Sequence, residues 1–260
     1  MADGDGAGER SIEAVLAEHV QHLERLLGPE RRLLARAERD VLVPAWRRVH
    51  EGEPRWPASV AVLVAIGLQV ALPAHLAIAP RWLLPTLEGL IVVSLMVANP
   101  RRINRRSPII RGAMIALIGV ASLDNAWAAG ALVTGIVNGT EGKDPTTLLL
   151  TGAAIWVTNV IVFALWYWEL DRLGPAARAN AIVVNPDFLF PQMTSPDLAP
   201  DDWAPEFVDY LYFSFTNATA FSPTDVMPMS RWSKLTMMLQ SCVSLATVAL
   251  VVARAVNILH

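Results

Sequence analysis

A single cysteine, Cys242, excludes an internal disulfide and any multi-cysteine zinc or iron–sulfur site. Charge is scarce as well. Charged residues make up 17% of the 260 positions and apolar residues 53%, against about 25% and 45–50% in soluble domains. The mean hydropathy is +0.39. These values exclude a disordered chain, a collagen-like repeat and an ordinary cytosolic enzyme, and a net charge of −3 offers nothing to nucleic acid. Catalytic signatures are missing too: there is no His-Glu-x-x-His, no Gly-x-Ser-x-Gly, no Walker-type lysine loop and no dinucleotide-binding glycine run. No enzyme, cofactor or bound metal is expected. Nor does the N-terminus show a basic stretch, an apolar run and a small-residue cleavage site, so no cleaved signal peptide is expected.

What is present is a set of long apolar runs behind a charged N-terminal stretch. Residues 1–56 hold nine Arg and eleven Asp or Glu. Ile12, Val15, Leu16, Val20, Leu23, Leu26 and Leu27 fall at helical spacing after Ser11, and Gly28-Pro29 breaks the pattern. Leu33, Leu34, Ala37 and Val41 resume it until Pro44. Two short amphipathic helices outside the bilayer are expected, with an apolar stripe suited to a protein partner, to itself or to the lipid surface. His19 and His22 have metal-binding spacing but no third ligand nearby.

A helix crossing about 30 Å of hydrocarbon needs about 20 mostly apolar residues. Residues 57–79, 82–98, 109–137, 146–169 and 234–258 meet that description, and five spans are expected. The aromatic stretch Tyr210–Phe221 is too short to cross and begins beside Glu206 and Asp209. It either re-enters, or crosses as a sixth span. The fold expected is therefore an all-α polytopic membrane bundle in three parts: soluble helices in 1–56, four spans in 57–171, and the acidic loop, re-entrant helix and last span in 172–260. Arg101, Arg102, Arg105, Arg106 and Arg111 mark the loop 100–111 as cytoplasmic; Arg47, Arg48 and Arg55 place the N-terminus on the same side. A multi-pass membrane protein with a cytoplasmic N-terminus is therefore expected.

Polar residues inside such spans are expensive, at about 2.5–3.5 kcal/mol for an Asp at the centre on insertion scales. Asp124 and Asn125 sit mid-span, as does Asn159 in the following helix. Counting residues from the shared loop sets Asp124 and Asn159 level in an antiparallel pair, either as interhelical glue or as a cation or proton site. Glu88 is expected to snorkel to the interface or to pair with Arg81. Trp156, Trp166 and Trp168 read as packing or interfacial-belt residues, and Trp168–Arg172 as a charged edge knotted by salt bridges.

The stretch Asp209–Leu259 resembles in layout the pore module of potassium channels: Tyr212, Phe213, Ser214, Thr216, Thr219, Asp225 and Pro228 lie where such modules carry an aromatic pore helix, two threonines, an aspartate and a proline. Where that family has Thr-Val-Gly-Tyr-Gly-Asp, this chain has Thr219-Ala220-Phe221-Ser222-Pro223-Thr224-Asp225, a degenerate filter without glycine. The Tyr-Phe-Ser-Phe and Ala-Phe-Ser-Pro-Thr-Asp-Val runs also resemble uncharacterised bacterial polytopic membrane proteins grouped as a domain of unknown function. The second resemblance implies a bacterial inner (plasma) membrane protein and no activity; the first implies an oligomeric channel-like or transport-related membrane protein, cation-conducting through loop 216–225, whose Thr216, Thr219, Ser222 and Asp225 join the mid-span Asp124, Asn125 and Asn159 as candidates. Asp187, Asp197, Asp201, Asp202, Glu206 and Asp209 would concentrate cations at its mouth. The alternative is a non-conducting scaffold that recruits a protein partner through residues 1–56. The partners expected are the lipid bilayer and further copies of the chain.

Overall fold

The computed structural model describes residues 43–259, apart from 79, 99–101, 104–106, 142–143 and 221–224. The chain divides into Met1–Pro44 and Ala45–His260. The expected amphipathic helices, with His19 and His22, lie outside the described residues, as does Ser222. All that follows concerns the second unit.

It is mostly helical. After a single 3-10 turn at Ala45–Arg47 comes a two-residue strand, β1 (Glu53–Pro54), and then helix α1 (Trp56–Ala71). Helix α1 stops earlier than the apolar run suggests. Pro73 lacks an N–H and restricts the residue before it, so Leu72 turns extended at ψ 148°. Helix α2 (Leu83–Ala98) returns, and strand β2 (Arg102–Ile103) pairs antiparallel with β1, Glu53 opposite Ile103. Helices α3 (Pro108–Val137) and α4 (Pro145–Leu170) follow, capped by Ser107 and Asp144, whose side chains accept backbone N–H bonds from Ile110 and from Thr146 and Thr147. Beyond α4 come the short helices α5 (Pro175–Ala179) and α6 (Pro191–Thr194), separated by strand β3 (Phe188–Leu189). Helix α7 (Phe207–Ala220), strand β4 (Met227–Pro228) and helix α8 (Arg231–Leu259) complete the unit.

Among the described residues three helices, α3, α4 with the turn after it, and α8, are long and apolar enough to cross a membrane. Helices α1 and α2 are apolar but have 16 residues each, or about 24 Å at 1.5 Å per residue. Five membrane-length helices are therefore not what forms. Extended residues lengthen the first of these two stretches, so that its ends lie near opposite ends of α4. Glu53 meets Trp168 near the end of α4, whereas Leu72 and Leu76 share a cluster with Leu148 near its start.

Helix α4 is the axis. It packs against α1, α3, α7 and α8, and every residue from Thr158 to Leu165 is buried. An all-round apolar helix of this kind must be enclosed on every side. Antiparallel α8 comes close to it at Gly152, where a Cβ would lie 2.8 Å from both methyls of Val251.

Helix α7 starts at the C-terminal end of α4, with Phe207 edge-on to Trp168 at 5.7 Å. It descends until Phe215 meets Trp156. The chain then comes back: Asp225 sits beside the Tyr212 hydroxyl, and β4 pairs with β3. The segment enters and leaves at the same end of the bundle.

Candidate functional site

Two polar assemblies are buried in this bundle, and a third polar row joins its helices. The first assembly lies among α1, α2 and α3. The buried face of α1 runs Ala58, Ala61, Val62, Ala65 and then Gln69. Glu88, one turn into α2, is completely buried, and its Oε1 accepts a hydrogen bond from Gln69 Nε2 at 3.4 Å. The buried face of α3 contributes Asp124, which is within electrostatic range of Glu88, and Asn125 beside it. Gln69 Oε1 and Glu88 Oε2 have no hydrogen-bond donor. Two buried carboxyl groups on neighbouring helices are thus within electrostatic range of each other, and one of them is bonded to a buried amide. Carboxylates in such surroundings are stable only when a proton or a cation compensates them.

Glu88 therefore neither snorkels nor pairs with Arg81. Arg81 donates instead to the Val70 carbonyl at 2.6 Å. The expected Asp124–Asn159 contact does not form either: Asn159 Nδ2 donates to Ser244 Oγ on α8 at 3.0 Å. Residue counting sets the height of a side chain along an antiparallel pair but not the face it occupies. The face of α4 bearing Asn159 belongs to α8.

The polar row continues from that contact. Gln240 on α8 accepts from the Tyr167 hydroxyl at 2.6 Å and from Asn217 Nδ2 at 2.8 Å, and donates to Ser214 Oγ at 2.7 Å. The Ser214 hydroxyl in turn donates to the Val160 carbonyl. One glutamine therefore ties α4, α7 and α8 with every polar atom satisfied. Thr216 and Thr219 bond back to carbonyls of their own helix, at Phe213 and at Phe215 and Thr216. Asp225 is exposed beside Tyr212, and the start of α8 is capped by Ser230, whose Oγ accepts from Ser233 N.

The second assembly closes the C-terminal end of α4. Arg178 donates twice to Glu53 Oε1, at 2.7 and 3.1 Å, and to the carbonyls of Trp168 and Asp171 at 2.6 and 2.9 Å. Burial pulls this guanidinium's pKa down, but Glu53, Tyr210 and Asp171 more than offset it and hold the charge above its ordinary strength. Trp168 Nε1 donates to Glu53 Oε2 at 2.5 Å. Asp171 accepts from the Tyr210 hydroxyl at 2.6 Å and from Asp187 N at 2.8 Å. Asp187 in turn accepts from Arg172 N and Trp232 Nε1. Arg172 and Leu173 both have positive φ, and the Arg172 guanidinium is held on the Trp46 carbonyl at 2.9 Å.

The salt-bridge knot expected at Trp168–Arg172 is thus present in kind, but its main partners are Glu53, 115 residues upstream of Trp168, and Arg178 from α5. Trp168 is not a belt residue: it is fully buried. Glu53 carried no local signal, since in sequence it is one acid among eleven in a charged stretch. Asp187 holds the loop to α8 rather than standing free at a cation-collecting mouth. Among the described residues no group of three His, Cys, Asp or Glu is placed to hold a metal ion.

No protein-family model, curated protein or solved structure matches this chain.

Proposed function

We propose that this chain is an integral membrane protein that binds and carries a proton or a monovalent cation, with Glu88 and Asp124 as the carrying groups and Gln69 orienting them. The observation that carries this reading is the completely buried Glu88, whose Oε2 lacks a donor, with the buried Asp124 of the neighbouring apolar helix within electrostatic range. Ionisable groups at membrane depth are costly and face the interior when they serve ion or proton pathways. The bundle sits in the membrane in this reading, with α1 to α4 and α8 as five traversals and α7 dipping from the arginine-rich, cytoplasmic side of an inner (plasma) membrane. The exposed apolar residues of α8, among them Leu235, Leu239, Leu245 and Val252, meet lipid or another copy of the chain. The buried acids are better placed for carriage than loop 216–225, because the hydroxyls of Thr216 and Thr219 are spent on their own helix.

The test is flux into liposomes containing the purified protein, read with a pH-sensitive dye and with Na⁺ and K⁺ gradients. Glu88→Gln and Asp124→Asn keep the shape of each side chain and are expected to abolish flux while the protein still purifies as a folded species. Flux in both variants equal to that of the wild type would remove these acids from the path. Absence of flux for all three cations in the wild type would favour the second reading, a non-conducting scaffold recruiting a partner through residues 1–56. That alternative is favoured by one observation, the fully satisfied Gln240 row, which makes α7 a packing element.

A further inference from the structure

The buried pair of Gln69 and Glu88 leaves two atoms over. The amide nitrogen of Gln69 donates to Glu88 Oε1 at 3.4 Å, whereas Gln69 Oε1 and Glu88 Oε2 are buried with no hydrogen-bond partner among the described residues. Both are acceptors as long as the carboxyl group is ionised. A carboxylic acid differs by one donor. A hydrogen on Oε2 turns the two orphan oxygens into a donor and an acceptor, and completes the cyclic pair in which an acid and a primary amide exchange two hydrogen bonds. One proton thus satisfies both atoms and removes the buried charge as well.

The surroundings supply no other compensation. Among the described residues no Lys, Arg or His forms an ion pair with Glu88, and Arg81, at the start of the same hairpin arm, is held on the Val70 carbonyl. The ionisable group that acts on Glu88 is another acid, Asp124 of α3, which opposes a second negative charge. A bare Na⁺ or K⁺ would need oxygens in place of its hydration shell, but the amide turns its N–H, not its oxygen, to Glu88 Oε1.

We infer that Glu88 holds a proton on Oε2, shared with Gln69 Oε1, and that Gln69 is the residue that makes this a site for a proton rather than for Na⁺ or K⁺. Uptake forms one Oε2–H bond and cancels one negative charge. The inference deepens the carrier reading and rests on it for the carriage, though not for the bound proton.

Infrared spectroscopy of the full-length protein in liposomes tests it without measuring flux. At pH 7 the wild type is expected to show the carbonyl stretch of a protonated carboxyl group, shifted down in D₂O, which Glu88→Gln removes and Asp124→Asn retains. Gln69→Met keeps the length of the side chain but offers no carbonyl, so the band should move to higher frequency. Adding NaCl or KCl should leave the band in place, a response read on the wild type and independent of how any variant folds. Loss of the band on adding either salt would make Glu88 a metal-cation site, and a wild type without a Glu88-dependent band would make it an ionised carboxylate; either overturns the inference. So does an unmoved band in Gln69→Met with wild-type thermal unfolding. The two readings fail separately: the band in a protein that moves no cation keeps the inference and ends the carrier reading, whereas Na⁺ or K⁺ flux without the band does the reverse.

Discussion

Glu53 and Arg178 show how much a pair of residues can decide. Both are buried, and each spends its charge on the other and on neighbouring groups. Removing one partner leaves the other charge uncompensated, a loss of about 3–5 kcal/mol, whereas replacing both by apolar residues costs much less. Arg178→Met is accordingly expected to lower the unfolding midpoint sharply, and Glu53→Leu/Arg178→Met to recover most of the loss. Strict additivity of the two single changes in denaturation experiments would mean that the pair is not coupled. His50 belongs to the same neighbourhood: its Nδ1 accepts the Gly52 N–H. Burial, with Arg178, Arg172 and Arg102 nearby, lowers its pKa below 6.5, against the opposing pull of Glu53. The unfolded chain therefore binds a proton more readily than the folded one. His50 contributes stability that is complete above about pH 6.5 and is lost as the pH falls through the lower folded value. His50→Gln should flatten that limb of the stability–pH profile, and an unchanged slope between pH 7 and 5 would show that His50 does not set it.

Among the elements, the α4–α8 contact depends on one missing side chain. At Gly152 a methyl group would meet the stiff, β-branched Val251 at 2.8 Å. Alanine improves helix propensity by about 0.8–1.0 kcal/mol, but overpacking costs about 1–3 kcal/mol, so the clash wins. Gly152→Ala should destabilise modestly, and Gly152→Ala/Val251→Ala should restore the midpoint. A stabilised single variant would show that α8 shifts at no cost. Helix α7 makes the complementary point. Its 14 residues are held by Tyr210 at the top and by Ser214 and Asn217 lower down, so its descent is fixed by side-chain bonds to α4 and α8 rather than by its own length.

At the scale of the whole molecule, the order of traversals predicts which sides the loops occupy. By Asp225 and β4 the chain is back at the end where α7 began, so α8 starts at the C-terminal end of α4 and finishes at the opposite one. In a Cys242→Ser background, Asp225→Cys should react with an impermeant thiol reagent from the side of the arginine-rich loop. Asn257→Cys should react from the other side. Labelling of both from one face would mean that residues 207–229 cross completely.

The sequence by itself determined the helical class of this protein and the places of its apolar helices, three of them long enough to cross a membrane, because a run of apolar residues is a local property. It also marked Asp124, Asn125 and Asn159 as buried polar residues, and Trp168–Arg172 as a charged knot. Tertiary structure decided the pairings. Asn159 found Ser244, Glu88 found Gln69, and Arg178 reached Glu53. Azimuth around a helix, unlike depth along it, is set by which neighbours enclose it. In an enclosed axis such as α4 every face is apolar enough to be buried, so hydropathy leaves the choice of partner open. The lengths of α1 and α2 were decided the same way: Pro73 ends one helix early, and the strand pair β1–β2 closes the hairpin where helical residues alone fall short.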